Sequence, residues 1–103
     1  MVVRVTTPGS PAFRLRSGEE GLSVFDLEAV DPPLSEVEVL DGFRPGSLTV
    51  VRSVAEIEAK GLIIVPVPGV GSLSERLSDA HAEIQAGPGM TRTRFKQILK
   101  ELE

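Results

Sequence analysis

Residues 61–87 read GLIIVPVPGVGSLSERLSDAHAEIQAG, and how this stretch divides decides the fold. It holds the longest apolar run, the strand-to-glycine-loop-to-helix pattern and the only histidine, His81. Leu62 to Val67 (LIIVPV) is apolar on both faces and is expected as the most buried strand of a sheet. Pro66 has no backbone donor, so the far end of that strand is expected to lie at an edge or to leave the sheet there. Past the glycines, Leu73, Leu77, Ala80 and Ile84 form one helical stripe. Ser72 and Glu75 make a capping box at its start, and Gly87-Pro88 is a stop. This spacing predicts a helix over 73–86. Ala80, Ala82, Ile84 and Ala86 also alternate with His81, Glu83 and Gln85, so the alternative is a short helix 73–78 followed by a strand 79–86.

Working outward toward the N-terminus, Val2–Thr6 is a β-branched strand closed by Pro8-Gly9. Phe13-Arg14-Leu15-Arg16 alternates, with Phe13 and Leu15 inward and both arginines outward. It is expected to form a hairpin with Leu22–Leu27 across the connection Ser17–Gly21. Leu22–Leu27 is apolar on two sides, as a central or bulged strand would be. Asp31-Pro32-Pro33 is a rigid break. Glu36–Leu40 alternates again and is expected as a strand with Val37 and Val39 inward. Ser47–Arg52 is a further strand. Ser53 and Glu56 form a capping box for a helix 54–60 that ends at Gly61. That helix is short for a parallel crossover, so the pairing of 47–52 with 62–67 stays open. At the C-terminus, Thr91 is an N-cap, Met90 and Phe95 are placed as a hydrophobic staple, and Phe95, Ile98, Leu99 and Leu102 make a helical stripe. The expected fold is α+β, one domain over 1–103: a mostly antiparallel sheet of five to six short strands against a C-terminal helix, with one or two further short helices.

Composition excludes several chemistries. The chain has no cysteine, so disulfides, thiolate catalysis and Cys-containing zinc sites are ruled out. One histidine leaves His-rich zinc catalysis without ligands, and neither a metal nor a cofactor is expected. With four Phe and no Trp or Tyr, base stacking and aromatic interface anchors are scarce. The N-terminus lacks a signal-peptide pattern and no run is long enough to span a bilayer, so a cytoplasmic protein without membrane contact is expected.

Charge is segregated. Residues 1–17 carry Arg4, Arg14 and Arg16 and no acid, whereas Glu19 to Asp41 carries only acids. The net charge of −4 argues against non-specific nucleic-acid binding. Arg92, Arg94 and Lys96 lie at the start of the last helix, where bases oppose the helix dipole, and are expected to meet an acidic surface on this chain or another. A binding or assembly module without catalysis is therefore the expected function, with a protein partner or self-association favoured over nucleic acid.

The alternative is a small enzyme, or a binder of a small anionic or nucleotide ligand. It would use Gly69, Gly71 and Ser72 at a helix start together with His81, Glu83 and Arg14. The glycines fit neither the dinucleotide fingerprint nor the phosphate loop. His81-Ala82-Glu83 lacks the cysteines a zinc deaminase needs. Arg14, Ser23 and Glu83 follow one another in an order that faintly resembles that of ADP-ribosyltransferases. Three scattered residues of common type do not carry a family, and surface arginines paired with the acidic block is the reading taken.

Overall fold

The computed structural model describes all 103 residues and is an α+β arrangement built on a five-stranded, wholly antiparallel sheet. In chain order the elements are β1 (Val2–Thr6), β2 (Gly21–Asp26), α1 (Glu36–Asp41), β3 (Leu48–Arg52), α2 (Val54–Ala59), β4 (Ile63–Pro66), α3 (Glu75–Ala80), β5 (His81–Gln85) and α4 (Arg92–Lys100). The sheet order is β3-β1-β2-β5-β4. The strands 48–52 and 63–66 therefore do not pair at all, because they form the two opposite edges.

Helices cover both faces. On one face Ile57 of α2 and Phe95, Ile98 and Leu99 of α4 pack with Leu102 onto Val2, Leu22, Val24, Ala82 and Ile84. On the other, Val39 of α1 and Leu77 and Ala80 of α3 pack with Leu34 onto Val3 and Phe25. The inner strand β2 is thus buried on two sides, as its two-sided apolar pattern requires. Thr91 caps α4 by accepting from the Arg94 N–H, and Met90 packs beside Phe95 in the same core. Burial of Phe95, Ile98, Leu99 and Leu102 contributes on the order of 6–12 kcal/mol of gross transfer free energy, which offsets the entropy of ordering the segment.

Five expectations are overturned. The stretch 61–87 follows the alternative division: α3 ends at Ala80 and β5 begins at His81 with no loop between them. The apparent stripe mixed two burial environments, since Leu77 and Ala80 face one core whereas Ile84 faces the other. Its cap is Ser74, which accepts from the Leu77 N–H, and not Ser72. Leu62–Val67 is not the sheet's centre, because β4 pairs only with β5 and Ile63 is 39% exposed.

Residues 36–40 form a helix and not a strand. The Ser35 Oγ accepts from the Glu38 N–H, and Leu34 and Val39 close as a staple while Val37 points into solvent. Finally, Phe13–Arg16 is not a strand. Phe13 and Leu15 are buried and the arginines exposed as the alternation implies, but the segment is an irregular loop and β2 pairs with β1 and β5.

Candidate functional site

The ladder between β1 and β2 stops after two pairs, Val2↔Asp26 and Val3↔Phe25, while β1 continues beside β3 through Thr6↔Leu48. At the point of divergence stands Arg4. Its Nε donates to the Ala12 carbonyl and its Nη1 to the Ser23 carbonyl of β2, each at 2.9 Å, so the guanidinium satisfies backbone acceptors where the ladder ends. Nη2 bonds to no protein atom and is not buried. Burial pulls the Arg4 pKa below the usual arginine range and nearby Arg16 adds to this, whereas Glu19 and Glu103 oppose it.

This end of the sheet opens into a cleft of about 1050 Å³. Its walls are the end of β1 with the turn after it, the segment Arg14–Ser17, the segment Phe43–Ser47 and Lys96 from α4. Local sequence explains the walls. Ala12, Phe13 and Leu15 are buried and plug their loop into the core, which turns Arg14 and Arg16 outward. The loop is also gripped from the far end of the chain, where the Glu103 carboxylate accepts from the Ala12 N–H at 2.9 Å and the Phe13 N–H at 2.7 Å. Arg52 stacks on the Phe13 ring and donates to the Leu102 carbonyl, fixing the same corner. Arg92 bonds to the Glu19 and Arg16 carbonyls and holds the turn that follows. Opposite, the Phe43 ring sits edge-on to Phe25, and Gly46 adopts the positive φ of +90° that the turn needs.

The electrostatics of this cleft are one-sided. Arg4, Arg14, Arg16, Arg44 and Lys96 line it, together with hydroxyls of Thr6, Thr7, Ser10, Ser17 and Ser47, and no carboxylate does. The side chains of Arg14, Arg16, Arg44 and Lys96 make neither a hydrogen bond nor an ion pair within the chain. The four ion pairs lie elsewhere; Arg76 with Glu38 at 2.7 Å is the tightest between side chains.

Of the residues singled out in the sequence, Arg14 and Lys96 lie in this cleft and Arg92 holds its rim. Arg94 makes no ion pair. The remaining candidates are not gathered. Gly69, Gly71 and Ser72 precede the true cap Ser74, and the Gly69 N–H is already bonded to the Ser78 Oγ at 2.9 Å. His81 stands edge-to-face on Phe25, and its Nδ1 lies 2.8 Å from the Val67 carbonyl, which only accepts, so Nδ1 carries the hydrogen. A second cavity of about 330 Å³ reaches His81 with Asp26, Glu58 and Asp79, but neither Glu83 nor the glycine loop borders it. Glu83 is the register partner of Ser23, accepts from the Gln85 Nε2 at 3.1 Å and overlies Gly21, where a Cβ would come within 2.8 Å of its Oε1. No three His, Asp or Glu side chains gather to hold a metal ion. No helix is long and apolar enough to cross a membrane.

Arg4, Arg16 and Arg44 were missed as site residues. The signal was present for two of them, since residues 1–17 hold three arginines and no acid. Arg44 sits alone after the acidic block and carries no local sign of its destination. Compared with protein-family models, curated proteins and solved structures, the chain matches none of them.

Proposed function

We propose that the protein is a binding module whose ligand is a small phosphate-bearing or comparably polyanionic molecule held in the basic cleft. One observation carries this reading: five cations line a single concavity without a carboxylate, and four have no partner, in a chain of net charge −4. Gathering like charges opposes folding, and a chain with acids in surplus could have paired them. Their convergence on one cleft is favourable once an anion from outside joins them. Binding is favoured over catalysis because no His, Asp, Glu or Cys lines the cleft, which leaves no side chain there to exchange a proton near neutral pH.

The test is a titration with inorganic phosphate followed on backbone amide resonances. Thr6–Ser17 and Arg44–Ser47 should shift saturably. If those amides stay still, or the shifts are spread evenly over the surface, the reading falls. A second copy of the chain, offering the unpaired acids Glu20, Asp31 and Asp41, is the competing occupant. Light scattering at low and high salt separates the two, since dimers that dissociate in salt support self-association.

A further inference from the structure

Resting on that reading, we infer that the ligand group the cleft selects is a diphosphate, carried by inorganic pyrophosphate or by a nucleoside diphosphate, and not a lone phosphate. Charge favours more than one phosphoryl group. A phosphate monoester brings about −1.5 to −2 near neutral pH, which leaves roughly three of the five cations uncompensated. A second phosphoryl group takes up part of that remainder, and Glu19 and Glu103 already offset part of the charge of Arg4.

The cations also arrive on separate segments: Arg4 on β1, Arg14 and Arg16 on the loop that precedes β2, Arg44 on the segment before β3, and Lys96 on α4. They line a cleft of about 1050 Å³, slightly above the roughly 300–1,000 Å³ typical of small-ligand pockets. An anion with two linked phosphoryl centres offers acceptor oxygens to more of these segments at once than one tetrahedral group does.

Preorganisation adds to this. Arg4 is clamped by two backbone carbonyls, so its Nη2 is available without the entropic cost of ordering a long side chain. Arg14, Arg16, Arg44 and Lys96 line the same cleft and are uncommitted to any hydrogen bond or ion pair within the chain. A nucleic-acid strand fits less well, because such ligands follow a basic stripe and the cations here converge on one concavity of an acidic chain.

Calorimetric titrations with orthophosphate, pyrophosphate, a nucleoside monophosphate, the matching diphosphate and a short single-stranded oligonucleotide test this. Both diphosphates should bind about tenfold or more tightly than either monophosphate species. R14A and R44A, whose exposed side chains make no hydrogen bond or ion pair within the chain, should each weaken diphosphate binding about fivefold while leaving the melting temperature unchanged. Equal tightness of the two diphosphates assigns recognition to the diphosphate group itself, and a tighter nucleotide adds a base contact to it. Equal affinity for orthophosphate and pyrophosphate overturns the diphosphate assignment and leaves the anion site standing. An oligonucleotide that outcompetes pyrophosphate also overturns it. Absence of binding by every anion removes both inferences together.

Discussion

One side chain, Glu103, spans 90 residues of sequence to grip the loop 12–13 and fix a wall of the cleft. The two bonds, at 2.9 and 2.7 Å, are charge-assisted. Hydrogen bonds to charged groups contribute about 1.5–3 kcal/mol each, and the donors belong to residues that are almost fully buried. Glu103 itself is exposed, so water recovers part of the loss. Glu103→Ala should therefore destabilise the fold by about 2 kcal/mol, which for a domain of this size lowers the melting temperature by roughly 8–16 °C. Glu103→Gln retains one acceptor oxygen and should lose about half as much.

Circular dichroism melts give the stability, and hydrogen exchange at the Ala12 and Phe13 amides gives the location. Glu101→Ala provides the control. Its only ion pair, with Lys60 at 3.6 Å, is half-exposed, and such pairs contribute about 0–1 kcal/mol. If Glu103→Ala melts with wild type and the two amides exchange no faster, the carboxylate does not hold the wall. Phosphate affinity should fall with the latch, since the loop that carries Arg14 and Arg16 loses its anchor.

Three further outcomes are expected. Gly87→Ala would place a Cβ 2.0 Å from the Gly61 carbonyl oxygen, so the backbone must move; about 3 kcal/mol of destabilisation should appear in urea unfolding, and an unchanged midpoint would show that the two strands of chain do not approach so closely. Ser35→Ala and Ser74→Ala should each cost about 1 kcal/mol through lost helix caps, whereas Ser72→Ala should cost nothing measurable, and equal effects at 72 and 74 would return the cap to Ser72. The hydrogen bond from Arg76 holds the Glu38 carboxyl below its ordinary value, so this pair adds stability above the ordinary carboxylate pKa and loses it as pH falls through the depressed one. Carbon-detected NMR titration of Arg76→Ala should show Glu38 back in the usual range, and an unmoved titration would mean that Arg76 is not the cause.

The parts of the fold legible in the sequence are those set by short-range chemistry. Thr91 with the stripe from Phe95 announced α4, and Ser53 announced α2, because a capping oxygen and an apolar repeat act within one turn of the chain. The errors arose where alternation and helical spacing predict the same inward residues. Val37-Glu38-Val39 alternates as a strand does, yet Ser35 offers its oxygen to Glu38 N–H and Leu34 reaches Val39 only if the chain coils. Leu62–Val67 is apolar for a reason that periodicity cannot see. Leu62 is buried beneath α4, whereas Ile63 and Ile64 border a surface cavity at the sheet edge.

The candidate site was less legible because its determinants are separated by most of the chain. Arg4 is partly buried on a strand, and its guanidinium is held there by the Ser23 and Ala12 carbonyls where the ladder between β1 and β2 ends. Glu103, some ninety residues later, holds the neighbouring loop through the Ala12 and Phe13 N–H groups. The burial of Phe13 and Leu15 in that loop turns Arg14 and Arg16 outward. The Glu103 carboxylate accepts from two backbone amides beside the cleft and its charge still acts on Arg4, whereas Arg14, Arg16, Arg44 and Lys96 line the same cleft with no ion pair of their own and are left for an anion from outside.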